Sequence, residues 1–329
     1  MALVLDLNDV TRATDMTSMI EAVEKGLREE AAGRVVMPPR LNMATDSGFF
    51  RVMPAIMNES GVMGYKEFHG SITNGVRYMI AIYDAAEGSL LSMMDASYLT
   101  AARTGATTGV ATKYMARQDA KTAAVIGSGL EARTNLQAVA VVRKLDKVTV
   151  FSPNPAKRQA FADWIKSELG IEAVTAETAE QCTAEADIIV VATNTSGKAD
   201  PIAYRGAWMR EGMHVNSIGS TMPRLREIDP DTFDRAQRIA TDSVAQIHEE
   251  SGDVITAVED GKFDAGRVVE LKDLVTGAAT GRTAAAEITL FKSVGTAVQD
   301  VMAGMAIYEE ARRQSLGTEI PDFLDLKTF

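Results

Sequence analysis

Residues 125–134 read VIGSGLEART, which has the form of a strand end, a glycine turn and the start of a helix. The spacing is GxGxxA, and its three small positions are Gly127, Gly129 and Ala132. Gly127 permits a tight turn, Gly129 lets the backbone approach a pyrophosphate, and Ala132 lets the helix pack closely on the strand. A purely structural turn is the alternative, but the apolar run before it and the helical pattern after it favour a dinucleotide-binding loop.

The second strand of this βαβ pattern bears on the choice of dinucleotide. It should end near Ser152, where an NAD site often places Asp or Glu and an NADP site often places Arg nearby. This chain has Ser152, Pro153 and Asn154 there, and Lys157 and Arg158 follow several residues later. We therefore expect NAD(H), with NADP(H) as the alternative. The predicted cofactor-binding residues are Gly127, Ser128, Gly129, Leu130, Glu131, Ala132, Ser152, Asn154, Thr193 and Ser293.

Strands and helices alternate from Lys121 onward, and this alternation indicates the fold class. Because each strand is followed by a helix in most of the intervals, the strands should run parallel in a doubly wound sheet. The candidate strands are 122–127, 147–152, 187–193, 213–218 and 237–241.

The first third of the chain has a different pattern, a helix followed by an antiparallel meander. The helix is predicted over 14–32 with Asp15 as its N-cap, and a second helix, rich in small residues, over 97–116. The predicted strands and turns are 49–57, 61–68 and 76–83, the turn at Asn74-Gly75, and the turn AAEGS at 85–89.

Together the two patterns predict an α/β protein of two domains. A Rossmann doubly wound parallel sheet, 119–299, is inserted into a split α+β dimerisation and substrate domain, 1–118 plus 300–329. The stretch 284–314 is predicted to be one long helix, or two abutting ones, that returns the chain to the first domain. Because the apolar strands of 49–94 are hard to bury in so short a segment, we expect a homodimer.

Composition and charge argue against several classes of protein. The formal net charge of −11 disfavours nucleic-acid binding. A single cysteine, Cys182, permits no internal disulfide, and the three histidines form no HxxxH-type pair, so we expect no metal site. No apolar run approaches the about 20 residues of a membrane span, and the N-terminus lacks a signal-peptide pattern. These features predict a cytoplasmic protein that does not enter the membrane.

Cations recur in the first domain despite the acidic composition. Arg40 follows two prolines, Lys66 lies at a strand end, and Arg103 lies among small residues; His69 and Arg77 are near Lys66 in sequence. Each alone is most simply a surface residue. Together they predict a carboxylate-binding pocket, because Arg forms two hydrogen bonds to a carboxylate and a Lys of lowered pKa can exchange a proton.

At these residues the chain resembles the ornithine cyclodeaminase/μ-crystallin family over nearly its whole length. The resemblance implies an inserted Rossmann domain and a split α+β domain. It also implies membership of a group that includes cyclodeaminases, alanine dehydrogenases and ketimine or imino-acid reductases. The matching stretches are PPR (38–40), MP (53–54), GYK (64–66), LTAARTGATTGVATKYMAR (99–117), VIGSGLEA (125–132), GSTMPRLREID (219–229) and GRTAAAEITLFKSVGTAVQD (281–300).

The resemblance also implies roles for individual residues. Arg40, Lys66 and Arg103 fall where the family binds the substrate carboxylate, and Lys66 falls near the reacting C–N bond. Cyclodeaminases and alanine dehydrogenases of the family have an Asp after the fifth Rossmann strand, where this chain has Thr221. Without that Asp, the ammonium group of an ornithine substrate would lose its anionic partner.

Added cations favour a substrate with a second carboxylate instead. They are Arg224 and Arg226 in the loop that contains Thr221, and His69 and Arg77 near Lys66. Surface charges are the alternative explanation for the two loop arginines.

Residues and resemblance together predict NAD(P)H-dependent reduction of a small imino acid to an L-amino acid. Lys66 is the predicted catalytic residue, and Arg40, Lys66, Arg103, His69 and Arg77 are the predicted substrate-binding residues. The best candidate reaction is the conversion of iminosuccinate to L-aspartate. The alternatives are a cyclodeaminase-type lyase that recycles bound NAD, an alanine dehydrogenase, and a non-enzymatic binding protein of the same family.

Overall fold

The structure is a computed structural model that describes residues 1–71, 74–321 and 327. The chain divides into two units, Met1–Arg103 with Thr296–Phe329, and Thr104–Gly295. The first boundary therefore falls inside a helix, whereas the sequence prediction placed the domain boundary after residue 118, beyond the end of that helix.

The bounds of the helices and strands are as follows in chain order. The first elements are β1 (Ala2–Leu5), α1 (Leu7–Ala13), α2 (Met16–Ala31), β2 (Val35–Val36), β3 (Leu41–Thr45), β4 (Gly48–Met57), β5 (Val62–Ser71), β6 (Gly75–Asp84), β7 (Leu90–Asp95) and α3 (Ser97–Met115). The next are β8 (Thr122–Ile126), α4 (Leu130–Val142), β9 (Lys147–Phe151), α5 (Pro155–Trp164), β10 (Glu172–Thr175), α6 (Ala179–Thr183), β11 (Ile188–Val191), β12 (His214–Ser217) and α7 (Pro230–Arg235). The last are β13 (Arg238–Thr241), α8 (Val244–Glu250), α9 (Gly252–Glu259), β14 (Val268–Glu270), α10 (Leu271–Thr276), β15 (Thr289–Lys292), α11 (Ala297–Gln314) and β16 (Thr318–Ile320).

The first unit is a mixed sheet with helices packed on it. Its strand order is β16-β1-β7-β6-β5-β4-β2, and β3 pairs with β4. The predicted meander is confirmed, since β4, β5, β6 and β7 pair as antiparallel neighbours. The hairpin between β5 and β6 includes the predicted Asn74-Gly75 turn, and Gly75 has the positive φ (+84°) that such a turn requires. Ile72 and Thr73 of this hairpin lie outside the described residues.

Helix α2 begins where its sequence predicts. The Asp15 side chain accepts a hydrogen bond from the Ser18 backbone N–H over 2.8 Å, which satisfies one of the free N–H groups of the first turn. The apolar positions at helical spacing are buried, among them Val23 and Leu27 at 0% exposure. This face of α2 packs on α11, as shown by Gly26, where an added Cβ would lie 2.7 Å from Met302 Cγ.

The second unit contains the predicted doubly wound sheet. Its strand order is β10-β9-β8-β11-β12-β15-β13-β14, and every pairing along it is parallel. Alternate residues of β8 point into two different hydrophobic clusters, Ala123 and Val125 into one and Ala124 and Ile126 into the other. Both faces of the sheet are therefore covered, as a parallel sheet requires. The predicted fold class is confirmed.

The prediction of a helix over the whole of 284–314 is wrong. The residues Thr289–Lys292 form β15, a fully buried strand between β12 and β13, and helix α11 begins only at Ala297. A short apolar run has the same appearance in a buried strand and in a buried helix, so its pattern could not separate the two. The strands β10 and β14 of the same sheet were also missed.

No helix in the described part of the chain is long and apolar enough to cross a membrane. Within residues 1–71, 74–321 and 327, no group of three or more His, Cys, Asp or Glu side chains is arranged to hold a metal ion. Cys182 is a buried thiol, and burial raises its pKa to about 12, so it is not a reactive nucleophile.

Candidate active site

Lys66, Arg103 and Asp300 form a buried charged cluster in the first unit. Lys66 Nζ donates a hydrogen bond to Asp300 Oδ1 over 2.7 Å, and Arg103 Nε donates to the same oxygen over 2.8 Å. The side chains of Lys66 and Asp300 are 2% and 0% exposed. One carboxylate oxygen therefore holds two of the predicted cations in place, although they lie on different elements, β5 and α3.

The start of helix α11 explains the position of Asp300. Thr296 is the N-cap, and Gln299 accepts a hydrogen bond from the Thr296 backbone N–H over 3.3 Å, which forms a capping box. Asp300 follows in the first turn, where the helix dipole stabilises a negative charge. Gln299 Oε1 also accepts a hydrogen bond from Arg103 Nη1 over 3.1 Å, so the same turn orients the guanidinium.

Asp300 is the member of this cluster that the sequence does not predict. The sequence pattern predicts a helix over 284–314, and an Asp inside a long helix has no special significance. The signal that could have found it is the T-x-x-Q spacing of Thr296 and Gln299, which marks a helix start and puts Asp300 one residue further on.

The environment of Lys66 changes its protonation. Burial lowers the pKa of the Lys66 ammonium from 10.5 to about 7; Asp300 opposes this shift, and the charges of Arg103 and Arg40 add to it. Burial would raise the pKa of Asp300, but Arg103, Lys66 and Arg40 together hold it below its usual range. Lys66 can therefore gain and lose a proton near neutral pH, while Asp300 stays ionised.

His69 and Arg77 lie on the opposite face of the sheet from Lys66. Successive residues of a strand point to opposite faces, so Lys66 and His69, three apart on β5, face opposite sides. Arg77 pairs directly with His69 in the β5–β6 register and shares its face. The His69 imidazole lies 3.6 Å from the Glu67 carboxylate on that second face. The structure thus does not bring these two predicted residues to the Lys66 cluster.

Arg51 is a cation that the structure does place on the Lys66 face. It pairs with Phe68 in the β4–β5 register, and Phe68 is two residues from Lys66 and so points the same way. The Arg51 guanidinium carbon lies 5.6 Å from the centroid of the Phe68 ring, and Lys66 Nζ lies 5.5 Å from the same centroid. Lys66 and Arg51 therefore both lie close to the same aromatic ring.

The glycine loop of the second unit has the geometry of a phosphate-binding turn. Gly127 has a φ of +129°, and an added Cβ there would lie 2.2 Å from the carbonyl oxygen of Ala192. Gly129 is the N-cap of α4 and is extended, and an added Cβ there would meet nothing within 4 Å. Ala132 is fully buried, whereas Leu130 is 44% exposed. The first turn of α4 is thus open at Gly129, which is a requirement for an anion-binding helix N-terminus.

A hydrogen bond between two hydroxyl groups joins the glycine loop to the segment that is predicted to contact the adenosine half of the dinucleotide. Ser128 Oγ donates a hydrogen bond to Ser152 Oγ over 3.0 Å, which joins the glycine loop to the end of β9. Asn154 Oδ1 accepts a hydrogen bond from the Lys157 backbone N–H over 3.0 Å, so this oxygen caps α5. Ser152 and Asn154 therefore lie at the carboxyl end of β9, where a doubly wound sheet binds its ligand.

The other two predicted cofactor contacts, Thr193 and Ser293, are bonded to buried carboxylates of the second unit. Thr193 donates through both its backbone N–H and its hydroxyl to Glu227 Oε2, each over 2.9 Å. Ser293, which is 2% exposed, donates its hydroxyl to Asp242 Oδ2 over 2.8 Å. Their contact with a cofactor stays a prediction.

A buried ionic network lies at the carboxyl ends of β12 and β15. Lys292 Nζ lies 2.9 Å from Asp253 Oδ2, and it donates hydrogen bonds to Ser217 Oγ over 3.1 Å and to the Gly219 carbonyl. Glu227 accepts from Ser217 and from the Gly219 N–H, and burial raises its pKa although Lys292 opposes the shift. The network anchors the first residues of the loop that follows β12.

Residues 1–315 match the ornithine cyclodeaminase/mu-crystallin family, and the chain belongs to that family. The family predicted from the sequence is therefore confirmed.

Three similar proteins illustrate the relationship. The Delta(1)-pyrroline-2-carboxylate reductase of Bacillus cereus is 32% identical over 330 residues, which cover 97% of this chain and 99% of the relative. The structure of the Thermococcus litoralis Delta(1)-pyrroline-2-carboxylate reductase in complex with NADH and L-proline has 36% identity and a TM-score of 0.91, with 97% and 100% coverage. An archaeal alanine dehydrogenase dimer with bound NAD has 29% identity and a TM-score of 0.88, with 98% and 99% coverage.

Proposed function

We propose that the protein is an NAD(P)H-dependent oxidoreductase that reduces the C=N bond of a small imino acid to give an L-amino acid. The observation that carries the proposal is the buried Lys66, held 2.7 Å from Asp300 and with a pKa of about 7. A group that exchanges a proton near neutral pH is what the nitrogen of a C=N bond needs during reduction. The reductase and dehydrogenase names of the relatives agree with this class of reaction.

The substrate carboxylate would bind to the cations around Asp300. Arg103, Lys66 and Arg40 all lower the pKa of Asp300, so three cations lie near this one carboxylate. A substrate carboxylate placed beside them would gain charge-assisted hydrogen bonds. Asp300 in turn keeps Lys66 and Arg103 oriented before the substrate arrives, which reduces the cost of ordering them.

The proton and the electron pair come from different sources. The nicotinamide ring, when bound, supplies a hydride to the imine carbon. Lys66 keeps the imine nitrogen protonated or supplies its proton, and so favours the electron-poor form that accepts the hydride. The loop from Gly127 to Ala132 would hold the pyrophosphate, and Ser152 with Asn154 would face the adenosine ribose.

The dicarboxylate iminosuccinate, which would give L-aspartate, is the first candidate substrate. Arg51 supports it, because this cation lies on the same sheet face as Lys66, and the two lie 5.6 and 5.5 Å from the centroid of the Phe68 ring. His69 and Arg77, the cations first assigned to this role, face the other side of the sheet.

A cyclic imino acid such as Δ1-pyrroline-2-carboxylate is the second candidate. It is favoured by the names of the two reductases that are 36% and 32% identical to this chain over nearly their whole length. The decisive assay is NADH oxidation with a panel of substrates. The panel should contain Δ1-pyrroline-2-carboxylate, oxaloacetate with ammonia, and pyruvate with ammonia or methylamine. Ammonia release from ornithine without net NADH oxidation would overturn the proposal in favour of a cyclodeaminase.

Replacing Arg51 with Gln should distinguish a dicarboxylate substrate from a monocarboxylate. If Arg51 binds the second carboxylate, kcat/KM should fall about ten- to hundredfold with oxaloacetate plus ammonia and much less with pyruvate plus ammonia, because one charge-assisted hydrogen bond is lost. Arg77→Gln, on the opposite face, is the matched control and should not change the ratio of the kcat/KM values for the two substrates. Equal losses on both substrates for Arg51→Gln would contradict the dicarboxylate assignment.

The protonation state of Lys66 should determine how kcat/KM depends on pH. We expect kcat/KM for imine reduction to fall as pH rises through about 7, because the neutral amine neither donates a proton nor attracts the carboxylate. Asp300 raises the pKa of Lys66, so Asp300→Asn should move this descending limb to lower pH. Ionisation of the imine itself is the same for both proteins, so the shift between them reports on Lys66. An unchanged midpoint would contradict this role for the pair.

The proposed homodimer would use the face of the first sheet opposite to Lys66. This face includes Tyr65, Tyr83 and Met93, which are only partly buried around Ala81 and Leu90. The archaeal alanine dehydrogenase is described as a dimer, which supports the proposal. Light scattering at micromolar concentration should give twice the chain mass of 35.3 kDa, and a value at one chain mass would exclude the dimer.

A further inference from the structure

Two oppositely charged side chains meet where β9 and β10 end. The strands are parallel neighbours with Val150 opposite Thr175, so their carboxyl ends lie side by side. Glu177 follows β10 by two residues, and Arg158 lies on α5, the helix after β9. Arg158 Nη2 lies 3.0 Å from Glu177 Oε1.

The two members of the pair differ sharply in exposure. The Arg158 side chain is 7% exposed and the Glu177 side chain is 79% exposed. The Arg158 guanidinium also lies 5.8 Å from the ring centroid of Phe151, the last residue of β9. Arg158 is therefore fixed against the end of β9, and Glu177 presents a carboxylate to the solvent beside it.

The end of the second strand is where a dinucleotide-binding sheet distinguishes its two cofactors. An acid there hydrogen-bonds the ribose hydroxyls of NAD, and an Arg nearby accommodates the 2′-phosphate of NADP. The segment after β9 supplies neither charge, since it reads Ser152, Pro153 and Asn154. The tertiary structure brings both charges to this strand end from elsewhere, one from α5 and one from the segment after β10.

We propose that Glu177 determines the preference of this protein for NAD(H) over NADP(H). Its carboxylate neutralises Arg158, which would otherwise attract a 2′-phosphate, and it places a negative charge where that phosphate would bind. Without Glu177, Arg158 would bind the 2′-phosphate of NADP, and the ion pair with Glu177 prevents this contact. The inference rests on the dinucleotide site of the proposed function and is independent of which imino acid is reduced.

Fluorescence titration of the purified protein with NADH and with NADPH tests the inference without any turnover. The wild type should bind NADH more tightly, and Glu177→Gln should lower the ratio of the NADPH to the NADH dissociation constant about tenfold or more. The double variant Glu177→Gln/Arg158→Gln should lose this gain, because the cation that contacts the phosphate is gone. Glu172→Gln, an exposed acid at the amino end of the same strand β10, is the matched control and should leave the ratio unchanged.

The possible failures are distinguishable. One failure is a wild type that binds both dinucleotides while Glu177→Gln and Glu172→Gln show the same ratio of the NADPH to the NADH dissociation constant. In that case Glu177 does not determine the preference, and the proposed function stands. A wild type that binds NADPH more tightly than NADH would also overturn the inference. If the wild type binds neither dinucleotide, the cofactor site of the proposed function fails, and the inference fails with it.

Discussion

Replacing Lys66 with Met should reduce kcat/KM for the imino acid by about 10²–10⁴-fold, the typical contribution of a general acid–base group. The substitution removes the proton partner of the C–N bond and one of the three cations assigned to the substrate carboxylate. The affinity for NADH should not change, since the glycine loop belongs to the other unit.

The protein should remain folded, which makes the loss of activity interpretable. The Lys66 side chain is 2% exposed, so an uncharged side chain of similar length no longer has to be desolvated as an ion. Asp300 keeps its hydrogen bond from Arg103 at 2.8 Å and is not left unpaired. Lys25→Met, at an exposed position of α2 in the same unit, is the matched control and should retain full activity. Activity within tenfold of the wild type in Lys66→Met would remove Lys66 from the mechanism.

Replacing Gly129 with Val should weaken NADH binding about 10²–10⁴-fold. The isopropyl group would occupy the space in which the pyrophosphate approaches the first turn of α4. Two charge-assisted hydrogen bonds to the phosphates, each worth about 1.5–3 kcal/mol, would be lost, and 1.4 kcal/mol corresponds to a factor of ten. Fluorescence titration measures the loss directly, and unchanged NADH affinity would contradict the assignment of this loop.

The structure predicts that Gly129→Val weakens NADH binding without unfolding the protein. An added Cβ at Gly129 meets nothing within 4 Å, and the φ of −86° is open to any residue. The fold should therefore lose no more than about 1 kcal/mol, the usual effect of a poorer N-cap. Gly127→Val is the contrasting variant, because its Cβ would lie 2.2 Å from the Ala192 carbonyl oxygen at a φ of +129°. It should lower the melting temperature as well as the affinity.

Local pattern in the sequence determined much of the fold. The GxGxxA spacing, the strand–helix alternation after Lys121 and the cap at Asp15 all depend on residues a few positions apart. Such signals are decided by backbone conformations that the chain adopts within one turn or one strand, so they can be interpreted without the rest of the molecule. They identified the doubly wound sheet, the antiparallel meander and the loop that would hold a dinucleotide.

The assembly of the candidate site was decided only by tertiary structure. Lys66 and Asp300 are 234 residues apart, and no local pattern records that β5 and α11 pack together. Proximity in sequence was misleading for His69, because a strand reverses its face at every residue and three positions bring it to the other side of the sheet. The β4–β5 register places Arg51 opposite Phe68, and the same alternation of faces then puts Arg51 on the Lys66 face of the sheet. The pairing of Arg158 with Glu177 likewise depends on β9 and β10 ending together, which is a property of the sheet and of neither segment alone.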